Sequence, residues 1–118
     1  MRVLVVDDAP VLRAIVARGI AALGHAVVGE AATLADARTL AVAVLPDVIA
    51  VDGRLAGTGD VATLVRTLQA AAPTAAIFVI ASLDEAPLVK AARAAGAHGA
   101  IKRPILASQL RDVFESVT

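Results

Sequence analysis

The sequence predicts an α/β domain, a doubly wound sheet of five parallel strands with five helices, on three observations. Five short runs rich in β-branched residues alternate with five longer segments of helical period. The first, third and fourth runs are apolar without a break, as in strands covered on both faces. The connections are short, so right-handed crossovers lay the helices on both sides of a parallel sheet. Five βα units are too few for the eight-stranded barrel, which leaves the open sheet.

The elements follow in order. Strands are expected over 2–6 (RVLVV), 26–30 (AVVGE), 47–51 (DVIAV), 76–81 (AIFVIA) and 99–102 (GAIK). The first helix carries a stripe of Leu12, Val16, Ile20 and Leu23, and the second one of Leu34, Ala37, Ala41 and Val44. Val61, Leu64, Val65, Leu68 and Ala72 mark the third and clearest. Leu88, Ala92 and Ala95 form a thin fourth; Leu106, Leu110, Val113 and Val117 form the fifth. Thr33 to Asp36 has the pattern of a capping box, Asp60 can cap the third helix, and Pro87 suits a first turn. Gly24 and Gly96 stand just past helices, where a left-handed residue is wanted.

A chain of 118 residues is expected to form one domain, and no linker, repeat or low-complexity stretch divides it. Eleven basic and eleven acidic residues cancel, so nothing marks a surface for nucleic acid or anionic lipid. The absence of cysteine excludes disulfides, thiolate metal sites and cysteine nucleophiles. Only Phe78 and Phe114 are aromatic, so the core must be built from Val, Leu, Ile and Ala. The apolar run Val3 to Val6 is too short for a signal peptide or membrane span, and a cytoplasmic domain is expected.

In open parallel sheets, ligands bind beyond the carboxyl ends of the strands. Asp7 and Asp8 end the first strand, Asp52 the third, Ala81 and Ser82 the fourth, and Lys102 and Arg103 the fifth. Either acid of the pair alone reads as a helix cap, and Asp47 as a turn residue. Three carboxylates and a cation on one rim are harder to explain that way. Gathered carboxylates repel one another and call for a cation. Hard oxygen donors suit Mg²⁺, which also takes phosphoryl oxygens. The pattern therefore suggests magnesium-dependent phosphoryl chemistry on a carboxylate nucleophile. His25 and His98 lack metal-ligand spacing and read as exposed loop residues.

At these residues the chain resembles the receiver domains of bacterial two-component response regulators. VLVVDDAPVLRAIV is similar to their first strand, acid pair and first helix; PDVIAVDGRLAG to their third strand and the loop behind it; GAHGAIKRP to their fifth-strand signature. The resemblance spans essentially the whole chain, 1–118. It implies the flavodoxin-like receiver fold with strand order 2-1-3-4-5. It also implies that Asp52 accepts a phosphoryl group from a sensor histidine kinase, a phosphotransfer protein or a small phosphodonor. Mg²⁺ would be held by Asp8, by Asp7 through water, by Asp52 and by the backbone carbonyl of Arg54. The Arg103–Pro104 bond would be cis. A homodimer would form through helix 4, strand 5 and helix 5, with no direct contact to nucleic acid or membrane. The domain would stand alone or begin a longer regulator.

The departures are local. Arg103 stands at the family's lysine position, as a planar fork in place of a compact ammonium. Ala81 falls where a Thr or Ser hydroxyl is usual, Ala100 where the switch tyrosine is usual, and Ala56 where a proline is common. Ser82, one residue late, is the candidate substitute hydroxyl, although strand alternation turns neighbouring side chains to opposite faces. A pseudo-receiver that binds partners without being phosphorylated is thus the alternative reading. Aspartyl phosphatases of the haloacid dehalogenase type need two aspartates one residue apart, unlike Asp7–Asp8. Cobalamin domains need Asp-x-His, and Asp52-Gly53-Arg54 has none. No glycine fingerprint or P-loop motif is present.

Overall fold

The computed structural model describes residues 1–118 as one sheet of five parallel strands in the order β2-β1-β3-β4-β5. The strands are β1 (Arg2–Val6), β2 (Ala26–Ala31), β3 (Val48–Asp52), β4 (Ala76–Ala81) and β5 (Gly99–Lys102). The helices are α1 (Pro10–Ala22), α2 (Leu34–Val44), α3 (Val61–Ala71), α4 (Ala86–Ala94) and α5 (Ala107–Glu115). The doubly wound fold and the strand order agree with the sequence reading.

Alternation along each strand divides the core in two. Leu4, Val6, Ile49, Val51, Ile77 and Val79 face α2, α3 and α4, where Ala37, Ala41, Leu64, Val65, Leu68 and Ala92 meet them. Val3, Val5, Val48, Ala50, Phe78, Ile80 and Ile101 face Val16, Ala17 and Ile20 of α1 and Leu110, Val113 and Phe114 of α5. Burial on both faces is why β1, β3 and β4 carry unbroken apolar runs. Alanine at the helix contacts lets the backbones lie close to the sheet.

The local signals sit where the sequence puts them. The Asp60 carboxylate accepts the Thr63 amide at 2.8 Å, and the Thr33 hydroxyl accepts the Asp36 amide at 3.1 Å. Pro87 lies in the first turn of α4. Gly24 and Gly96 take φ of +90° and +119° just past α1 and α4. Three expectations need correction. Leu12 and Leu106 are exposed rather than core residues: Leu12 faces the open cleft beside Pro104 and Ile105, and Leu106 stands outside α5 as its N-cap. Asp52 belongs to β3 itself, one residue beyond the expected end. His25 is half-buried, its ring stacked 4.1 Å from Phe114. His98 is exposed as expected.

Candidate functional site

The backbone ladder carries the rim residues into line. The Asp7 amide donates to the Ala31 carbonyl at 3.0 Å, Gly53 to Ile80 at 3.0 Å, and Arg103 to Ala81 at 2.9 Å. The strands therefore keep pairing at the point where their polar residues begin. One oxygen each of Asp7, Asp8 and Asp52 lies within 4.8 Å of the others. Asp7 is wholly buried, Asp52 partly so, and Asp8 opens to solvent.

Each carboxylate is held differently. Asp7 Oδ1 accepts the Ala9 amide at 2.9 Å, while the buried Oδ2 has no hydrogen-bond partner. Burial pushes the Asp7 carboxyl above its ordinary range; the Ala9 amide opposes this, Asp52 adds to it, Arg103 opposes and Asp8 adds. Asp52 Oδ1 accepts the Arg54 amide at 3.1 Å, and Oδ2 receives no hydrogen bond from the protein. The Arg103 guanidinium stands 3.7 Å from Asp7 and 3.9 Å from Asp52, attracting both without bonding either. The Arg103–Pro104 bond is cis, as the resemblance implied.

Asp7, Asp8, Asp52 and Arg103 are thus brought together. Ser82 makes no hydrogen bond to them: its amide donates to Glu85 Oε1 at 2.7 Å. The Arg54 side chain turns away from the acids and donates to the other Glu85 oxygen. Glu85 is a residue the sequence reading passed over, although Ser82-Leu83-Asp84-Glu85 has the Ser-x-x-Glu spacing of a capping box. Arg13 is another: it donates to the Asp7 carbonyl at 2.8 Å and pairs with Glu30 at 3.3 Å, bracing the acid turn. Beside Arg103 lies an apolar cleft of about 320 Å³ lined by Leu12, Ile15, Val16, Pro104 and Ile105.

Residues 3–115 match the family described as the response regulator receiver domain. The chain belongs to that family. Solved receivers agree with it in structure. The signal receiver domain of NarL from Mycobacterium tuberculosis is 31% identical with a TM-score of 0.86, over 98% of this chain and 94% of that one. A LuxR-family two-component response regulator from Aurantimonas sp. SI85-9A1 is 28% identical with a TM-score of 0.87, covering 98% of this chain and 83% of that one. The receiver domain of AraT from Geobacillus stearothermophilus is 26% identical with a TM-score of 0.84, covering 98% and 91%. No curated protein sequence matches the chain.

As a receiver domain, the chain is a signalling module of two-component systems. Its acidic cluster has the composition and spacing to bind a divalent cation. No helix is long and apolar enough to cross a membrane. Within this receiver, Ala81 is buried at the rim end of β4, paired with Lys102 on β5. Ala100 lies half-buried on β5, opposite Val79. Neither can supply a hydroxyl or a ring.

Proposed function

We propose that this receiver domain takes a phosphoryl group on Asp52 in a Mg²⁺-dependent reaction, with a sensor histidine kinase or phosphotransfer protein as donor. The observation that carries the reading is the buried, unpartnered Oδ2 of Asp7 beside two further carboxylates. An orphan anionic oxygen in the interior is costly unless a cation completes it. Asp7, Asp8, Asp52 and the Arg54 carbonyl supply the hard oxygen donors that Mg²⁺ prefers. Bound there, the ion would neutralise the acids and bind an incoming phosphoryl oxygen.

The chain's own residues then have separate tasks. Asp52 Oδ2, free of hydrogen bonds, attacks phosphorus; its new O–P bond replaces the bond from phosphorus to the donor nitrogen or oxygen. The Arg54 amide holds Oδ1 and leaves Oδ2 free. Arg103, bound to neither acid, is placed to pair with phosphoryl oxygens as a two-pronged donor. The cleft of Leu12, Ile15 and Ile105 flanks Arg103 and offers an apolar seat for the donor protein.

The unit is read as one receiver domain over 1–118, acting in the cytoplasm and able to pair through α4, β5 and α5. Intact mass after incubation with acetyl phosphate or phosphoramidate and Mg²⁺ tests the acceptor. The mass should rise by one phosphoryl group, and Asp52→Asn should abolish the rise. An unchanged wild-type mass with a competent donor overturns the reading. Ala81 and Ala100 favour a second one, a partner-binding module independent of phosphorylation, which that negative result would leave standing.

A further inference from the structure

One carboxylate joins two loops across the rim. Glu85 Oε1 accepts the Ser82 amide at 2.7 Å, and the Glu85 amide donates back to the Ser82 carbonyl at 3.1 Å. Its other oxygen accepts the Arg54 guanidinium. The Ser82 amide and then the Arg54 side chain hold the Glu85 carboxyl below its ordinary range, so it is anionic at neutral pH. The turn before α4 is thereby tied to the loop after β3. The Arg54 backbone is itself one hydrogen bond, 3.1 Å, from the Asp52 carboxylate. The Glu85 side chain is 13% exposed and that of Arg54 is 69% exposed, so the carboxylate is the fixed partner and the arginine the mobile one.

We infer that Glu85 is a positioning residue of the phosphoryl site: it holds the Arg54 guanidinium away from Asp52, so that Glu85 and a phosphoryl group on Asp52 compete for one cation. The inference rests on the phosphoacceptor reading and adds to it a route for regulation. A phosphoryl group carries close to two negative charges and three acceptor oxygens, against one charge on Glu85. Arginine matches that geometry with two parallel donors. The Arg54 backbone already stands beside the acceptor, so a change of rotamer is the movement the exchange requires. Exposed ion pairs are weak, so the exchange shifts affinities by a few-fold only. When Arg54 leaves, Glu85 keeps the Ser82 turn but loses its tie to β3. The start of α4 then receives an electrostatic signal that needs neither a hydroxyl at Ala81 nor a ring at Ala100.

Beryllofluoride with Mg²⁺, standing in for the phosphoryl group, provides the probe, and calorimetry gives its affinity for wild type, Glu85→Gln, Arg54→Ala and the double variant. Glutamine keeps an acceptor for the Ser82 amide while removing the charge, and Arg54→Ala keeps the backbone carbonyl. Glu85→Gln should tighten binding about two- to fivefold, and Arg54→Ala should weaken it by a similar factor. In the Arg54→Ala background Glu85→Gln should change nothing, because the competed cation is gone. Amide spectra supply a second readout: Ser82 and Glu85 should shift on probe binding in wild type and stay in place in Arg54→Ala. Equal tightening with and without Arg54 would mean that Glu85 acts through its long-range field, and the inference fails. It fails too if all four proteins bind alike while the wild type is phosphorylated; the acceptor reading then survives. A wild type that neither gains mass nor binds the probe sinks both.

Discussion

Replacing Asp7 by Asn probes the charge balance on which the rim depends. Asp7 is fully buried, with one oxygen bonded to the Ala9 amide and the other to nothing. Two carboxylates 4.8 Å apart, the outer limit here, repel by about 3.5 kcal/mol at an effective dielectric constant near 20. In water the figure is about 0.9 kcal/mol. Arg103 at 3.7 Å offsets part of this, and the unpartnered oxygen adds about 1–3 kcal/mol of desolvation. We expect Asp7→Asn, which keeps the shape, to raise metal-free stability by about 1–3 kcal/mol near neutral pH. The melting point should rise by roughly 4–10 °C. The gain depends on pH in a definite direction. Burial lifts the folded carboxyl above the ordinary aspartate value of 3.8, so the folded state holds the proton more tightly than the unfolded chain. The ionised group therefore costs stability in full above its folded pKa. That cost fades as the pH falls toward 3.8, below which the two proteins converge. Circular dichroism melts in EDTA across this range measure it. A variant less stable than wild type at neutral pH would show that attraction to Arg103 outweighs burial, and the argument would be refuted.

Magnesium should stabilise the wild type by about 1.4 kcal/mol at ten times its dissociation constant. Asp8→Ala should remove most of that gain, and a wild-type melting curve unmoved by Mg²⁺ would dismiss the metal site. Beryllofluoride with Mg²⁺ should shift amide resonances strongly near Asp7, Asp8, Asp52 and Arg103 and at the Ser82–Glu85 turn, then weakly along the rest of α4 to residue 100. Shifts throughout α4 that vanish in Ser82→Ala would show instead that the serine hydroxyl drives the switch. Gly96→Ala should cost about 1–3 kcal/mol in chemical denaturation, because φ is +119° and the added carbon meets the Gln69 side chain.

The fold was legible because its signals are periodic and local. Unbroken apolar runs mark strands covered on both faces, and helical stripes mark one buried side of each helix. A stripe, however, says which residues share a face and not whether a neighbour covers it. Leu12 and Leu106 continue their stripes past the end of the packing and stay exposed. The acids were legible for a topological reason: parallel strands deliver their carboxyl ends to one rim, and short aspartates cannot reach far from it. Glu85 and Arg13 act between loops through long side chains, and sequence spacing alone does not fix where such chains point. The Ser-x-x-Glu spacing of Ser82 and Glu85 could have marked a local cap, but it went unread. That one of its oxygens reaches Arg54 emerges only when β3 and β4 lie side by side.

The strand order gives the rim a built-in inequality. Asp7 and Asp8 follow β1 and Asp52 ends β3, neighbouring strands inside the sheet, whereas Arg103 follows β5 at an edge. Edge elements open more readily than central ones, and partial opening is a normal excursion of a native protein. Fraying of β5 with α5 would take away the guanidinium that stands within 4 Å of the Asp7 and Asp52 carboxylates while leaving the three carboxylates together. Such an opened form holds its negative charge unbalanced and has the greater need for a cation. Mg²⁺ would therefore favour detachment of the edge relative to the metal-free protein, even as it stabilises the molecule as a whole. Hydrogen exchange in β5 and α5 would then separate from exchange in β1 and β3 as the metal is added. A site that spans the sheet would thus link ion binding to the looseness of one particular margin.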